Sequence, residues 1–451
     1  MATARAQWPL SAALLTLCAA IGLLAGTDPA LAVGAAVAAA FATLVAADLA
    51  LGLCVFIVVS FAERLPAAGA SDLTLVKALG ALLAVSWLGT VATRRGGERQ
   101  LFTAHPLMTM AGVGLLAWMI LSISWAEDPA AARETVMRYA LNLSLLPIVY
   151  SAVRRREHAV AVIAIYVAGA VASAVYAIAA GGGDAGAAYE RISGLAGTAN
   201  ELASLLVTAL FLAGGLMLAL RGSPLARLVC ALAGLICLLG LFLTLSRAGL
   251  VALAAALGAT VIVGGRRRVG AAVLIAIVAF ATVGYFSFAA SEQARERVTT
   301  LGSGTGRTDI WTVAWRMVED DPVRGVGVGN FQTASIHYLL RPGVILRDEF
   351  IVDRPQVTHN SYLHVLSELG VPGLVLFLTV IGAGFVAAWR AAGAFTTRAD
   401  PFMETCARGL VLALVALLVA DAFASDQLNK ELWLLLGLGP ALLRIARTEP
   451  A

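Results

Sequence analysis

The chain has 451 residues, of which 60% are apolar and only 13% are charged, about half of the quarter that soluble domains usually carry. A mean hydropathy of +0.87 and apolar runs of about 20 residues exclude a set of soluble domains and indicate transmembrane helices. The runs are continuous rather than alternating, which excludes a transmembrane β-barrel. The sequence therefore predicts an all-α, polytopic integral membrane protein. Its net charge of +4 is less informative than the positions of the charges.

Apolar runs between charged breaks predict the membrane spans in chain order. We expect them over 9–26, 29–47, 49–62, 73–93, 106–124, 133–152, 158–180, 200–220, 225–244, 248–264, 270–290, 360–389, 405–424 and 430–447. Only Asp48 separates the second run from the third, so the two could form a re-entrant pair and about 12 to 14 transmembrane helices are expected. Residues 1–32 also resemble a cleaved signal, but an apolar run of about 18 residues better suits a first span.

Lysine and arginine are shared unevenly between alternate loops. One set of loops and termini carries 16 of them, including the clusters at 94–99, 154–156 and 266–268, whereas the short loops of the other set carry 5. The positive-inside rule places the first set, with both termini, in the cytoplasm. The long segment 291–359 then lies on the outer side of the membrane.

Part of the outer loop 291–359 has the pattern of an amphipathic helix. Its apolar positions are Ile310, Val313, Ala314, Met317 and Val318, the spacing of one helix face. Thr308 is the expected N-cap, and Asp321-Pro322 is the expected end. Trp311 and Trp315 favour the membrane interface, so we expect the helix to lie on the outer membrane surface or to cap the bundle. Gly325, Gly327 and Gly329 predict a closely approaching turn.

Three arginines and one histidine gather on this outer face, on different segments of the chain. They are Arg191, Arg247, Arg307 and His359. Arg247 sits between two spans with almost no loop, and an arginine buried near the hydrocarbon edge usually faces the bundle interior. A snorkelling anchor is the alternative for Arg247. Solvated loop charges are the alternative for Arg191 and Arg307, and a helix cap is the alternative for His359.

Arginines without a metal motif suggest an anionic ligand. His359 and His364 are five residues apart rather than the four of a zinc helix, and neither a Walker loop nor a paired-aspartate motif is present, so no metal or other cofactor is expected. Arginine binds phosphate bidentately. At the outer membrane boundary the expected ligand is a lipid-linked phosphate or diphosphate, and a neutral histidine beside it could act as a general base.

The chain resembles the O-antigen ligase and O-antigen polymerase superfamily of bacterial membrane glycosyltransferases. The resemblance covers roughly residues 190–380, and the first half matches only as a pattern of spans. The motifs that carry it, in this order, are Arg191-Ile192-Ser193-Gly194 with Asn200-Glu201, Ser246-Arg247-Ala248-Gly249, Gly306-Arg307 through Trp311, Gly325 through Phe331, His359-Asn360-Ser361-Tyr362-Leu363, and Glu368 through Gly373.

The resemblance implies transfer of a glycan from an undecaprenyl-diphosphate carrier to an acceptor hydroxyl, with inversion and without a metal. By the same resemblance Arg191, Arg247 and Arg307 bind the diphosphate, and His359 activates the acceptor. Asn360, Tyr362 and Glu368 are weaker candidates for orienting His359 or the sugar. Lys77 and Arg138, near the outer ends of their spans, could add to the positive field around the phosphates.

We expect N-terminal helices over 1–190, a ligase-like core over 191–389 and C-terminal helices over 390–451, in the bacterial inner membrane with the active site outside. The partners are membrane lipids, the lipid-linked glycan and a glycan, lipid or protein acceptor, with no nucleic acid. Because no extra domain follows the last predicted span, a ligase or polymerase is favoured over transfer to protein. The alternatives are a transporter or flippase for an anionic lipid-linked glycan, for which Asp421 inside a span could serve, and a structural scaffold.

Overall fold

The computed structural model describes residues 22–23, 25–61, 75–93, 100–180, 191–263, 277–289, 307–339 and 356–449. Helices dominate these ranges, and the predicted all-α fold of a polytopic membrane protein is confirmed. The α-helices are α1 Pro29–Ala47, α2 Leu49–Phe61, α3 Leu75–Thr93, α4 Leu101–Ala104, α5 Pro106–Ser122, α6 Pro129–Ala152, α7 Arg156–Ala180, α8 Ala199–Ala219, α9 Pro224–Leu243, α10 Arg247–Val263, α11 Arg307–Asp320, α12 Phe331–Ser335, α13 Ser361–Thr397, α14 Pro401–Ala420 and α15 Lys430–Thr448.

Most predicted spans coincide with these helices to within a few residues. Five of the described helices, α7, α8, α9, α13 and α14, are long and apolar enough to cross a membrane unaided. The predicted spans 9–26 and 270–290 lie largely or partly outside the described residues. One placement is wrong: Asp421 is not inside a span but follows the last residue of α14 as its C-cap.

The centre of the bundle is formed by α8 packed against α14. The helices approach closely where Gly215 faces Gly409, since a Cβ on Gly215 would come within 3.0 Å of the Gly409 Cα. Small residues let helix backbones approach closely in membranes, where packing rather than water drives association. From this crossing, the N-terminus of α8 and the C-terminus of α14 extend to the same end of the bundle. That end carries the predicted site residues.

Helix α13 is not the single straight span that the sequence predicted. Gly370 has φ 64° inside it, and Pro372 follows. Proline has no N–H, so it cannot bond the carbonyl of Glu368 four residues earlier. The helix therefore breaks here, and carbonyl oxygens that a regular helix would use internally need other partners.

The glycine-rich turn of the outer loop supplies two of those partners. Val326 N donates to Ser367 O at 3.0 Å, and Gly327 N donates to Glu368 O at 2.8 Å. Trp118 Nε1 donates to the carbonyl of Leu369 at 2.8 Å. The turn can lie this close only as glycine, because a Cβ on Gly325 would come within 2.6 Å of the Glu368 carbonyl. The glycine-rich turn at 325–327 and the break in α13 at 367–370 are far apart in sequence but pack together, and we call this contact the joint.

The amphipathic helix of the outer loop exists as α11 and caps the bundle. Its predicted apolar face is buried, and it ends at Asp320, immediately before Asp321-Pro322. The predicted N-cap is wrong, because α11 already includes Arg307 and Thr308 lies in its first turn. Trp315 is 53% exposed, whereas the indole of Trp311 points inward and donates a hydrogen bond to the carbonyl of Thr358.

Candidate functional site

Arg191 is held in a network that joins two chain segments. The guanidinium Nε donates to the carbonyl of Thr244 at 2.9 Å, and Nη2 donates to Asn200 Oδ1 at 3.1 Å. The same Asn200 oxygen accepts from the hydroxyl of Ser246 at 2.9 Å. Arg191 is buried, with 7% of its surface exposed, so it is not a solvated loop charge. The network links the loop before α8 to the turn before α10.

Arg247 is the first residue of α10, directly after Ser246. The turn between α9 and α10 contains only residues 244–246, and Leu245 in it has φ 50°, a conformation that is costly for a non-glycine residue. Ser246 Oγ accepts from Gly249 N at 3.3 Å and so caps the helix. Arg247 is half-buried. Because it is the first residue of α10, it lies at the positive end of that helix's dipole, beside the Arg191 network.

His359 occupies a strained and sheltered position. Its φ is 50°, and strained backbone of this kind clusters at functional sites. Burial, followed by the positive charge of Arg307, lowers the pKa of His359 from its usual 6.5 to about 4. Desolvation is the largest cause of this depression. The ring is therefore neutral, the form that can accept a proton.

Arg307 and His359 are brought together by the docking of α11. Arg307 begins that helix, and Trp311 one turn later donates from Nε1 to the carbonyl of Thr358 at 2.8 Å. Thr358 is fully buried and immediately precedes His359. Its hydroxyl lies 3.2 Å from Ser425 Oγ and so fixes the segment to the C-terminal helices. The four predicted residues thus form two pairs, Arg191 with Arg247 and Arg307 with His359.

Asn360 and Tyr362 both bond the protein's own backbone. Asn360 Oδ1 accepts from the N–H groups of Tyr362 and Leu363 at 3.0 Å each, which makes Asn360 the N-cap of α13. The hydroxyl of Tyr362 donates to the carbonyl of Leu418 at 2.7 Å. These bonds give both side chains a structural task, and their role in binding substrate stays a prediction.

Glu368 does not contact His359, although the sequence suggested that it could orient that ring. Its Oε1 accepts from Phe331 N at 3.1 Å and lies 3.3 Å from His364 Nε2. Glu368 is 3% exposed and belongs to the joint between the glycine-rich turn and the break in α13. Its contacts position the outer loop.

A cavity of about 340 Å³ opens at the same end of the bundle. Three cationic side chains line it, Lys77, Arg138 and Lys430, together with three carboxylates, Glu201, Asp426 and Glu431. Lys77 and Arg138 were the predicted extra phosphate contacts. The mixed charge suits the hydroxyls of a sugar better than a phosphate alone, since hydroxyls both donate and accept.

Tyr166 and Ser204 also line this cavity, and their hydroxyl oxygens are buried behind its surface. Neither has a hydrogen-bond partner among the described residues, although both are buried. A buried polar group without a partner is costly and usually indicates a bound water, ion or ligand. Sequence reasoning missed these two residues, because a tyrosine and a serine inside apolar spans give no distinguishing signal.

The four predicted residues do not themselves line the cavity, but neighbours of both pairs do. The lining includes Ala196 and Glu201, which flank the Asn200 that bonds Arg191. It also includes Asp426, whose N–H donates to Ser361 Oγ at 2.9 Å, and Ser361 lies two residues after His359. The cavity is therefore adjacent to segments that hold both pairs.

Comparison with known proteins shows what this chain is similar to. Residues 232–378 match the family model described as O-Antigen ligase. The chain is also 29% identical over 352 residues to an O-antigen ligase of Pseudomonas aeruginosa, a match that covers 76% of this chain and 78% of the relative. The predicted resemblance to the O-antigen ligase superfamily is confirmed. The family match includes Arg247, Arg307 and His359, whereas Arg191 lies before it.

Proposed function

We propose that the protein is a membrane glycosyltransferase of O-antigen or polysaccharide assembly, which moves a glycan from an undecaprenyl-diphosphate carrier to an acceptor hydroxyl. The observation that carries the proposal is the Arg307–His359 pair, a neutral, half-buried histidine on strained backbone beside an arginine, within the stretch that matches the O-Antigen ligase model. The Pseudomonas relative, named an O-antigen ligase, supports the same class of reaction.

The arginines would bind the diphosphate and stabilise it as it leaves. Arg247 adds its charge to the N-terminal end of α10, and backbone N–H groups at a helix N-terminus also favour phosphate. Arg191 is anchored by Thr244 and Asn200, so its guanidinium is oriented before any ligand arrives. Fixed positive groups of this kind lower the barrier by stabilising charge that develops in the transition state. Because guanidinium groups supply this charge, the proposed reaction needs no metal ion.

His359 would accept the proton of the acceptor hydroxyl. The acceptor oxygen forms a bond to the anomeric carbon while the bond from that carbon to the diphosphate oxygen breaks, so one displacement inverts the configuration. In the ligand-free protein, a pKa of about 4 makes His359 a weak base. A bound diphosphate brings negative charge, which favours the imidazolium and raises the pKa towards the range where proton transfer is efficient.

The 340 Å³ cavity would hold the sugar next to the diphosphate. Its paired charges and its unpartnered Tyr166 and Ser204 hydroxyls suit a ligand rich in hydroxyl groups. The relative's name favours ligation of O-antigen over polymerisation or transfer to protein. The positive-inside distribution of arginines supports a site on the outer side of the bacterial inner membrane, with both termini in the cytoplasm.

The test is a transfer assay on the purified full-length protein in detergent. It combines a panel of undecaprenyl-diphosphate glycans with lipid A core, lipid-linked repeat and protein acceptors, and follows the products by gel and mass spectrometry. Glycan on one acceptor, with release of free undecaprenyl diphosphate, is expected and identifies the branch of the superfamily. If no acceptor is glycosylated in detergent, and the protein reconstituted into vesicles moves the intact lipid-linked glycan across the membrane without release of the diphosphate, the protein is a flippase.

A further inference from the structure

A second cavity, of about 410 Å³, lies at the end of the bundle opposite His359. It is formed where α6 and α15 end, and both helices begin at the other end of the bundle. Asp128, before α6, bonds Asn330 of the outer loop, and Lys430, which begins α15, lines the first cavity. Ligand-binding cavities commonly measure roughly 300–1,000 Å³. The second cavity therefore has room for a small polar group.

The charge around this second cavity has one sign. Arg154, Arg444 and Arg447 line it, and none of its described lining residues carries a carboxylate. Two carboxylates at this end of the bundle contact a different arginine: Arg156 lies 2.8 Å from Asp400 and 3.7 Å from Glu449. Three guanidinium groups around one space repel each other, and an anion between them would relieve that repulsion.

The cationic wall is fixed in place. Arg444 donates from Nη2 to the carbonyl of Val153 at 2.8 Å and stacks 4.3 Å above the ring of Tyr150. Arg154 Nε donates to the carbonyl of Ser151 at 2.8 Å. Burial lowers the pKa of His105 on the same wall, so its ring is neutral near pH 7 and the positive charge belongs to the arginines. Preorganised guanidinium groups lose little freedom when they bind phosphate.

We propose that this cavity binds a phosphate-bearing anion, carried by the headgroup of an anionic phospholipid or by a soluble phosphate. The arginine-rich loops place it on the predicted cytoplasmic side, where basic pockets between transmembrane helices bind anionic headgroups. The cavity is separate from the transfer site, so the proposal does not depend on the proposed reaction.

The experiment measures thermal unfolding of the purified full-length protein in neutral detergent by tryptophan fluorescence. It titrates dioctanoylphosphatidylglycerol, the matched zwitterionic dioctanoylphosphatidylcholine, and inorganic phosphate. The test variants are the exposed Arg447→Gln alone and the double variant Arg154→Gln/Arg447→Gln. Arg221→Gln is the control, because Arg221 is exposed in a loop of the same predicted side and does not line the cavity.

Phosphatidylglycerol should raise the unfolding midpoint of the wild type and of Arg221→Gln at the same concentration, and phosphatidylcholine should not. The double variant should need roughly 10- to 30-fold more phosphatidylglycerol, since each arginine near a membrane surface contributes about 1 kcal/mol. Equal potency of inorganic phosphate would identify a soluble phosphate as the ligand, and lower potency a lipid headgroup. The proposal fails if the variants titrate like the wild type, or if phosphatidylcholine stabilises equally. If the double variant does not fold, the phosphatidylglycerol titration of Arg447→Gln alone, compared with that of the wild type, tests the proposal.

Discussion

The indole nitrogen of Trp311 donates a hydrogen bond to the backbone carbonyl of Thr358 at 2.8 Å. This bond ties the helix that begins at Arg307 to the segment that carries His359. The two residues lie far apart in sequence, and the loop between them includes stretches outside the described residues. Trp311 is therefore the described contact that sets the relative position of the proposed phosphate-binding arginine and the proposed base.

Trp311→Phe should lower turnover by about 3- to 10-fold. A lost hydrogen bond costs roughly 0.5–1.5 kcal/mol, and each 1.36 kcal/mol in the barrier is tenfold in rate. The effect should fall on kcat more than on donor affinity, because the arginines themselves remain. Trp315→Phe is the matched control, since Trp315 is 53% exposed on the same helix, and it should turn over normally. Equal losses in both variants would mean that the hydrogen bond from Trp311 to Thr358 is not the cause of the defect.

Arg247→Lys should lose most of the transfer activity while keeping the wild-type unfolding temperature. Lysine keeps the charge but cannot form the bidentate fork that matches a phosphate. Arg191→Lys should lose activity and also unfold at a lower temperature, because its Nε and Nη2 bonds to Thr244 and Asn200 join two segments. Activity and thermal unfolding of both variants are measured together. A fully active Arg247→Lys would indicate a simple interface anchor.

Gly325→Ala should destabilise the joint between the outer loop and α13. Gly325 has φ 64°, which costs a non-glycine residue roughly 1–2 kcal/mol, and the added Cβ would come within 2.6 Å of the Glu368 carbonyl. We expect a lower unfolding temperature and weaker transfer. Gly382→Ala is the control, because it lies in α13 with open space around its Cβ position. An unchanged unfolding temperature in Gly325→Ala would mean that the joint is not as tight as described.

The pH dependence of the reaction should differ between the free and the donor-bound enzyme. In the free enzyme the pKa of His359 is about 4, so kcat/KM should stay level as the pH falls and decline only near that value. Bound diphosphate should raise the pKa, so the acid limb of kcat should lie at higher pH. Both profiles are measured between about pH 4 and pH 8 around the unperturbed histidine value of about 6.5. An acid limb of kcat/KM near 6.5 would contradict the buried environment of His359.

Much of the helical framework could be predicted because hydrophobic length and charged breaks determine where helices cross a bilayer. The 29–47 and 430–447 predictions, for example, agree with α1 and α15 to within one residue. The apolar spacing of α11 was sufficient to predict its buried face. The break in α13 was not predicted, although Gly370 and Pro372 were visible. A proline in an apolar run is compatible with a continuous membrane helix when neighbours satisfy the freed carbonyls. Those neighbours, Val326 and Gly327, are known only from the tertiary structure.

Only part of the candidate site could be predicted, because its remaining contacts also depend on the tertiary structure. Topology placed the four cationic or basic residues at one end of the bundle, and the structure brings them together as two pairs. The sequence alone could not show that Asn360 caps a helix or that Glu368 accepts a hydrogen bond from Phe331, since these contacts depend on how the loops pack. The 340 Å³ cavity also has no sequence signature. Its lining comes from many helices, and residues such as Tyr166 are recognised only by a missing partner.

The most direct measurement compares turnover and donor affinity of His359→Ala with those of His337→Ala in the same detergent. His337 is an exposed histidine of the outer loop, paired with Glu127 at 3.0 Å, and it serves as the control. Without its general base, His359→Ala should turn over about 10²–10⁴-fold more slowly, while donor affinity, which the arginines provide, stays nearly unchanged. His337→Ala should behave like the wild type. Normal turnover in His359→Ala, or a loss of donor affinity that alone explains its defect, would contradict the role of His359 as the base.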